Sequence, residues 1–388
     1  MPLRVARRAC ATIVALTAIL PAAGAAAADL PKTLAWTAYE TGASGYAQAV
    51  GIGSALKNNM GVTLRILPGK NDLSRLVPVR DGKADFAANG IGTYMAQEGA
   101  FEFGHPDWGP QPLRMLAMSI GDYCMTTYVT GDLKVKTPYD MKGLRASVIR
   151  AAPALNYNLL AYLRFGDLDW DDVQIVEFPG ANAAADSIVN GQADAAFGST
   201  ITGNVRKLEA SPRGVRFPIL PHDDEAGWKR LLAAAPYYVK HRCTEGVGIA
   251  RDKPIEGATY PYPILTAYAD KDAGVVYAMT RAIFEQYEHY KDSAPGATGW
   301  ALDRQRLDWV VPLHEGAIRY YKEAGHWTDE LQANNEANLK RAALLKKAWD
   351  DYAAAAKGKT EQEFGAGWQK ARAAALEAAG LQGVWREW

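Results

Sequence analysis

Two cationic side chains stand out among the loop residues that could do chemistry: Lys70 in "LPGKNDLS" (67–74) and Arg150 in "VIRAAPALN" (148–156). Each follows an apolar run and precedes a helix-forming stretch. An arginine in that position can hold a carboxylate through two parallel N–H donors. Free N–H groups at the start of the next helix favour the same anion. That chemistry is recognition of a small acid, not its conversion. Patterns for conversion are missing. Ser44 in "GASGY" lacks the full G-x-S-x-G spacing of a nucleophile elbow. Neither H-E-x-x-H nor C-x-x-C occurs, and nothing in the chain asks for a metal or cofactor. The acidic pairs Asp171-Asp172 and Asp223-Asp224 read as loop charges.

The elements that must position these loops repeat. "DGKADFAANG" (81–90) and "NGQADAAFGS" (190–199) say nearly the same thing. Each closes a strand–helix–strand–helix–strand series. In the first, "KTLAWTAY" is a strand, "GYAQAVGIGSALKNN" a helix, "VTLRILPG" a strand, "DLSRLVPVRDG" a helix interrupted by Pro78, and "ADFAANG" a strand. In the second, "KGLRASVI", "APALNYNLLAYLRFG", "VQIVEFPG", "ANAAADSIVNG" and "ADAAFGS" follow the same order. Alternation of this kind predicts two α/β lobes with parallel sheets. Gly82 and Gly191 fall where a helix end favours a left-handed residue. Ligands of open parallel sheets sit beyond the carboxyl ends of the strands. The loops there contribute Asn71 and Asn89 as further candidates beside Lys70 and Arg150.

The first 28 residues predict export. Arg4, Arg7 and Arg8 precede the uncharged run "ACATIVALTAIL", and Ala26 and Ala28 suit cleavage before Asp29, the pattern of a signal peptide. The run is too short for a membrane span, which takes about 20 residues. Without Arg4, Arg7 and Arg8 the chain keeps 40 basic against 43 acidic residues, a formal charge of about −3. That balance argues against nucleic acid as a partner. The mature chain is expected in the periplasm. An oxidising compartment permits a disulfide between Cys124 and Cys243, and two buried thiols are the alternative.

The last third is the most specific. "VVYAMTRAIFEQYEHY" (275–290) followed by "VPLHEGAIRYYKEAG" (311–325) resembles the carboxyl-terminal signature of TAXI-type solute receptors, the extracytoplasmic subunits of one branch of TRAP transporters. "TGASGYAQAVGIGSAL" is similar to that family's Gly-Ser-Thr-Gly-Gly-x-Tyr stretch, with Tyr46 on its tyrosine. The resemblance runs from about residue 32 to 325. It implies a type II periplasmic-binding-protein fold: two βαβ lobes joined by a hinge, closing on one small organic acid or amino acid for a cation-coupled permease. By position it implies Tyr39, Thr41, Gly45 and Tyr46 in one lobe, with Asn182 and Ser199 in the other, as ligand contacts. It places His314, Tyr320 and Tyr321 in a bracing region, as structural residues. Lys70-Asn71-Asp72 and "VIRAAPALN" depart from the family's small glycine-rich loops, so no glutamate specificity is carried over. An enzyme on the same scaffold, or a receptor feeding a sensor, are the rival readings.

The expected organisation is a signal peptide at 1–28, lobe one at 29–122, lobe two at 123–258, a return to lobe one at 259–325, and a C-terminal helical extension at 326–388. That extension carries Trp349 and Trp368 among strong helix formers. It is expected to pack on lobe one, with a dimer contact or a permease-facing surface as the alternatives; a monomer is expected, a dimer being the alternative.

Overall fold

The structure, a computed structural model, describes residues 29–385; the signal peptide expected at 1–28 lies outside them. The first lobe begins β1 (Thr33–Ala38), α1 (Ser44–Met60), β2 (Thr63–Pro68), α2 (Asp72–Arg80), β3 (Phe86–Asn89), α3 (Gly92–Glu98) and β4 (Leu113–Met118). The second holds β5 (Met125–Thr130), β6 (Arg145–Ile149), α4 (Pro153–Phe165), β7 (Gln174–Phe178), α5 (Ala181–Val189), β8 (Ala195–Ser199), α6 (Gly203–Glu209), β9 (Val215–Arg216) and α7 (Glu225–Ala234), followed by the hairpin β10 (Val239–Cys243) and β11 (Ile255–Thr259). The chain then returns to the first lobe with β12 (Ile264–Tyr268), α8 (Ala273–Glu285), α9 (Tyr287–Tyr290) and α10 (Glu315–Glu323). It ends in α11 (Asp329–Ala355) and α12 (Glu361–Ala378).

The two main sheets have the same plan. Their orders are β2-β1-β3-β12-β4 and β7-β6-β8-β5-β9. The first three strands of each run parallel, while β12 and β5 run antiparallel between their neighbours. In both sheets that antiparallel strand is the one that has just crossed from the other lobe. The crossings, at 119–124 and 260–263, bond to each other: Ser119 N–H to Pro263 O and Tyr262 N–H to Ser119 O, both 2.8 Å. This is the type II periplasmic-binding-protein fold that the sequence resemblance implies.

The repeated Gly-x-Ala-Asp has a physical job. Gly82 and Gly191 end their helices at φ +68° and +74°. Asp85 then pairs with Ala35 of β1, giving its N–H to Ala35 O (2.8 Å) and accepting the Ala35 N–H on Oδ2 (2.8 Å). Asp194 treats Arg145 of β6 the same way, at 2.8 and 3.0 Å. Each aspartate thus closes the end of its sheet through both main chain and side chain. One difference from expectation is local: α2 runs through Pro78 to Arg80. Pro78 falls in the last turn, and its carbonyl accepts from Lys83 and Ala84 beyond the helix.

Cys124 and Cys243 are disulfide-bonded, with Cα atoms 5.5 Å apart, fastening the start of β5 to the end of β10. His314 is the N-cap of α10, accepting the Gly316 N–H on Nδ1 (3.1 Å), and burial pushes its pKa down. Tyr321 is buried with its hydroxyl on Leu116 O (2.9 Å), and Tyr320 stacks on Phe284. These are capping and packing contacts, as the bracing region implied by the resemblance would make.

The C-terminal pair α11–α12 docks on lobe one through the fully buried Glu98. Its carboxylate receives Arg341 (2.6 and 2.8 Å) and Arg372, and Trp368 Nε1 donates to Gly99 O (2.7 Å). Both arginines also hold the tail, Arg341 at Gln382 O (3.0 Å) and Arg372 at Val384 O (2.9 Å) and Trp385 O (3.2 Å). The Trp385 indole, 4 % exposed, meets Tyr94 and Phe101 of lobe one at 4.9 and 5.6 Å. It also meets Tyr157 and Tyr237 of lobe two at 6.1 and 6.3 Å. The extension therefore touches both lobes.

Two stability measurements follow. Burial alone would raise the Asp194 pKa, yet hydrogen bonds from Arg145 and Arg213 hold it below the usual carboxylate range. A depressed folded pKa contributes stability that is complete above the unfolded value of ~3.9 and lost as pH falls towards the folded one. Asp194→Asn should cost about 1.5–3 kcal/mol at pH 7 in urea unfolding, with a smaller gap from wild type at pH 3. Trp385→Ala should cost about 3–5 kcal/mol, the range for a buried aromatic; a loss below ~1 kcal/mol would mean the tail is not docked in solution.

Candidate functional site

All the strand ends that face the other lobe meet at one cleft, and the cleft is shut. Tyr39 and Glu40 follow β1, Gly69 and Lys70 follow β2, Gly90 follows β3, and Ser199 ends β8. Between them lies a cavity of about 60 Å³. Pockets for drug-sized ligands usually run ~300–1,000 Å³, so only a compact solute fits without movement of the walls. Five aromatic side chains stand in those walls, Tyr39, Tyr128, Phe197, Tyr260 and Tyr262, among charged and small residues. The Tyr39 and Tyr262 rings lie 4.8 Å apart.

Five hydrogen-bond contacts join the lobes around this cavity. Ala154 N–H donates to Asp72 Oδ2 (3.0 Å), and Asn182 N–H donates to Glu40 Oε2 (2.9 Å). Asn71 Nδ2 donates to Arg150 O (3.2 Å), and Thr202 Oγ1 donates to Gly42 O (2.8 Å). The Ser44 and Ser199 hydroxyls are 3.3 Å apart. The first two contacts matter most. Helices α4 and α5 begin after Ala152 and Gly180, neither of which has a capping side chain. Carboxylates from the opposite lobe take that place, each bonding the N–H of the helix's second residue, as a cap would. At each of these helix starts, where an anion is expected, one N–H is taken by a carboxylate of the chain itself.

The floor is a buried ion pair. Asp72 is held by the capping box of Asn71 and Ser74 at the first turn of α2, and Arg75 stands three residues on. Arg75 pairs with Asp72, donates from Nε to Asn89 Oδ1 (3.0 Å), and lies over the Tyr39 ring at 4.4 Å. Burial raises the Asp72 pKa, and Arg75 and the Ala154 N–H oppose it. Two polar atoms are left over: the buried Tyr39 hydroxyl and Asn89 Nδ2 have no hydrogen-bond partner. Burial pushes the Tyr39 pKa far up, so this phenol is neutral. A buried, unsatisfied group on a cavity wall is where a ligand atom gains most.

The residues expected from sequence divide into three groups. Tyr39, Lys70 and Ser199 line the cavity. Asn71, Asn89, Asn182 and Gly45 support it: Asn71 bridges the lobes, Asn89 orients Arg75, and the Asn182 N–H carries Glu40. A Cβ on Gly45 would stand 2.6 Å from the Tyr39 ring, so this glycine makes room for the wall. Thr41 is exposed, and Tyr46 lines an outer groove beside His289, both outside the cavity. Arg150 is exposed and forked onto Glu177, with Nε and a terminal nitrogen 2.9 and 2.6 Å from one oxygen. Only its carbonyl faces the cleft. Asp72, Arg75, Glu40, Tyr260 and Tyr262 were not picked out from the sequence. The Asp72–Arg75 spacing of three, straight after a strand end, was the available signal.

A family model described as the NMT1-like family matches residues 37–325. The chain belongs to the NMT1-like family. Among curated proteins nothing matches. Solved structures similar to this NMT1-like chain include a binding protein component of an ABC phosphonate transporter from Pseudomonas aeruginosa, at 12% identity and TM-score 0.46, covering 83% of this chain and 99% of that one. The periplasmic aliphatic sulphonate binding protein from Escherichia coli is similar at 15% identity and TM-score 0.42, covering 90% and 89%. The family match stops at residue 325, so α11, α12 and the Trp385 tail lie beyond it.

The geometry makes a direct statement about Arg150. Arg150→Ala should change solute affinity by less than ~0.5 kcal/mol, the scale of an exposed ion pair. Arg75→Ala should abolish measurable binding. A large loss from Arg150→Ala in calorimetric titration would put its side chain in the site.

Proposed function

We propose that this chain is an extracytoplasmic solute receptor whose whole mechanism is capture and closure. The observation that carries this reading is the cavity enclosed from both lobes, with hydrogen bonds between the lobes around it and an unpartnered phenol on its wall. A ligand touching both lobes shifts the open–closed balance by its extra contacts in the closed form. The paired crossings at 119–124 and 260–263 are where such a motion would bend. The TAXI resemblance supports a small organic acid or amino acid as the solute and a cation-coupled permease as the recipient. The signal-peptide pattern supports a periplasmic location. No chemistry is proposed at the site.

The test is thermal unfolding of the mature protein, stripped of co-purified solute, against amino acids, 2-oxo acids, dicarboxylates and sugars. A solute at 100 times its Kd adds about 2.7 kcal/mol, a shift of several degrees. A shift by one solute that is not consumed is the expected result. Consumption of the solute would replace this reading with an enzyme on the same scaffold, and silence across the panel would remove it.

A further inference from the structure

We infer that the cavity accepts a solute of zero or positive net charge and refuses small anions, and that Glu40 is the residue setting this preference. The inference rests on the receptor reading and narrows its solute classes: it keeps amino acids of zero or positive net charge and excludes the anionic organic acids. Its basis is the pair of lobe-one carboxylates at the helix starts of lobe two. The closed cleft brings Glu40 to the Asn182 N–H at the start of α5 and Asp72 to the Ala154 N–H at the start of α4. The favourable positions for a ligand anion are then taken before any ligand arrives.

The seat of Glu40 is shaped for it. Gly180, at the start of α5, has no side chain, and a Cβ there would stand 2.9 Å from both Glu40 oxygens. The Asn182 side chain is turned aside, its Oδ1 accepting from Asn204 Nδ2 (3.1 Å). Glu40 itself lines the cavity, so any solute inside lies close to its charge.

The cations nearby do not offset this. Arg75 is 4 % exposed and already pairs with Asp72, donates to Asn89 and lies over Tyr39. Lys70 also lines the cavity, but it is exposed, so water screens its charge. Arg150 is exposed and joined to Glu177. Among these groups the interior keeps one carboxylate, that of Glu40, without a charged partner of its own. Tyrosine faces attract a cation or a neutral planar group and give an anion nothing.

The experiment uses the mature full-length protein with two probe sets in calorimetric titration. The first is succinate, 2-oxoglutarate and glutamate; the second is arginine, glutamine, putrescine and uracil. Wild type should bind a member of the second set at least 100-fold more tightly than any member of the first. Glu40→Gln should narrow that ratio at least tenfold by admitting anions, while Glu40→Asp, which keeps the charge, should preserve it. Urea unfolding confirms that each variant is folded, and Glu177→Gln, on the outer surface, should leave the ratio unchanged. Tight binding of an anion by wild type overturns the charge rule and leaves the receptor reading standing. A ratio unmoved by Glu40→Gln removes Glu40 as its cause. No binding from either set overturns both readings together.

Discussion

The closed form of this molecule depends on helix capping across a gap. Helices α4 and α5 leave their first N–H groups without a side-chain cap of their own. An unpaired N–H away from water is costly, and the positive end of a helix attracts negative charge. Lobe one meets both demands with Asp72 and Glu40. Local caps contribute about 0.5–2 kcal/mol each. Here the same interactions are made only when the lobes meet, so their energy belongs to closure and not to either lobe. In an open cleft, water would satisfy the same groups, which makes the net contribution of these caps to closure small.

The rest of the fold can be understood as the frame that brings those four groups into register. Each Gly-x-Ala-Asp segment ties its third strand to its first, so the strand ends that carry the loops are level. The capping box of Asn71 and Ser74 starts α2 where Asp72 can point across the cleft. Arg75, one turn on, keeps the buried Asp72 charge tolerable, since an unpaired buried carboxylate would be strongly penalised. The disulfide fastens β5 to β10 beside the crossing at 119–124.

The sequence made the frame legible because the frame is periodic. Alternating strands and helices, two matching segments and two left-handed glycines are local patterns, and the two-lobe fold follows from them. The site was only half legible, for a physical reason. Arg150 and Lys70 are conspicuous cations in cleft loops, but an exposed arginine beside Glu177 satisfies itself on the surface. Arg75 sits inside an ordinary-looking helix, and only the tertiary fold buries it against Tyr39 and Asn89. Helix starts at Ala152 and Gly180 read as vacant anion sites, because the carboxylates that fill them come from residues 82 and 142 positions away. Spacing along the chain carries no trace of such pairs.

The extension beyond residue 325 adds a second constraint on closure. Its helices are fixed to lobe one by Glu98, Arg341 and Arg372, while Trp385 at its end rests on Tyr157 and Tyr237 of lobe two. A rotation that parts the lobes at this edge must withdraw the indole from one side or carry the tail along. Uncovering half of such a ring, about 100 Å², costs on the order of 2–3 kcal/mol. That is comparable with the two caps combined. Tyr237 continues inward, with its ring 5.4 Å from Tyr260 and its hydroxyl bonded to Asn158 Oδ1 (2.7 Å), and Asn158 Nδ2 donates to the Tyr260 hydroxyl (2.9 Å). Tyr260 is a wall of the cavity. The surface on which the tail rests and the cavity wall are therefore two sides of one packed aromatic layer, so in the proposed receptor the tail and the solute would act on the same open–closed balance.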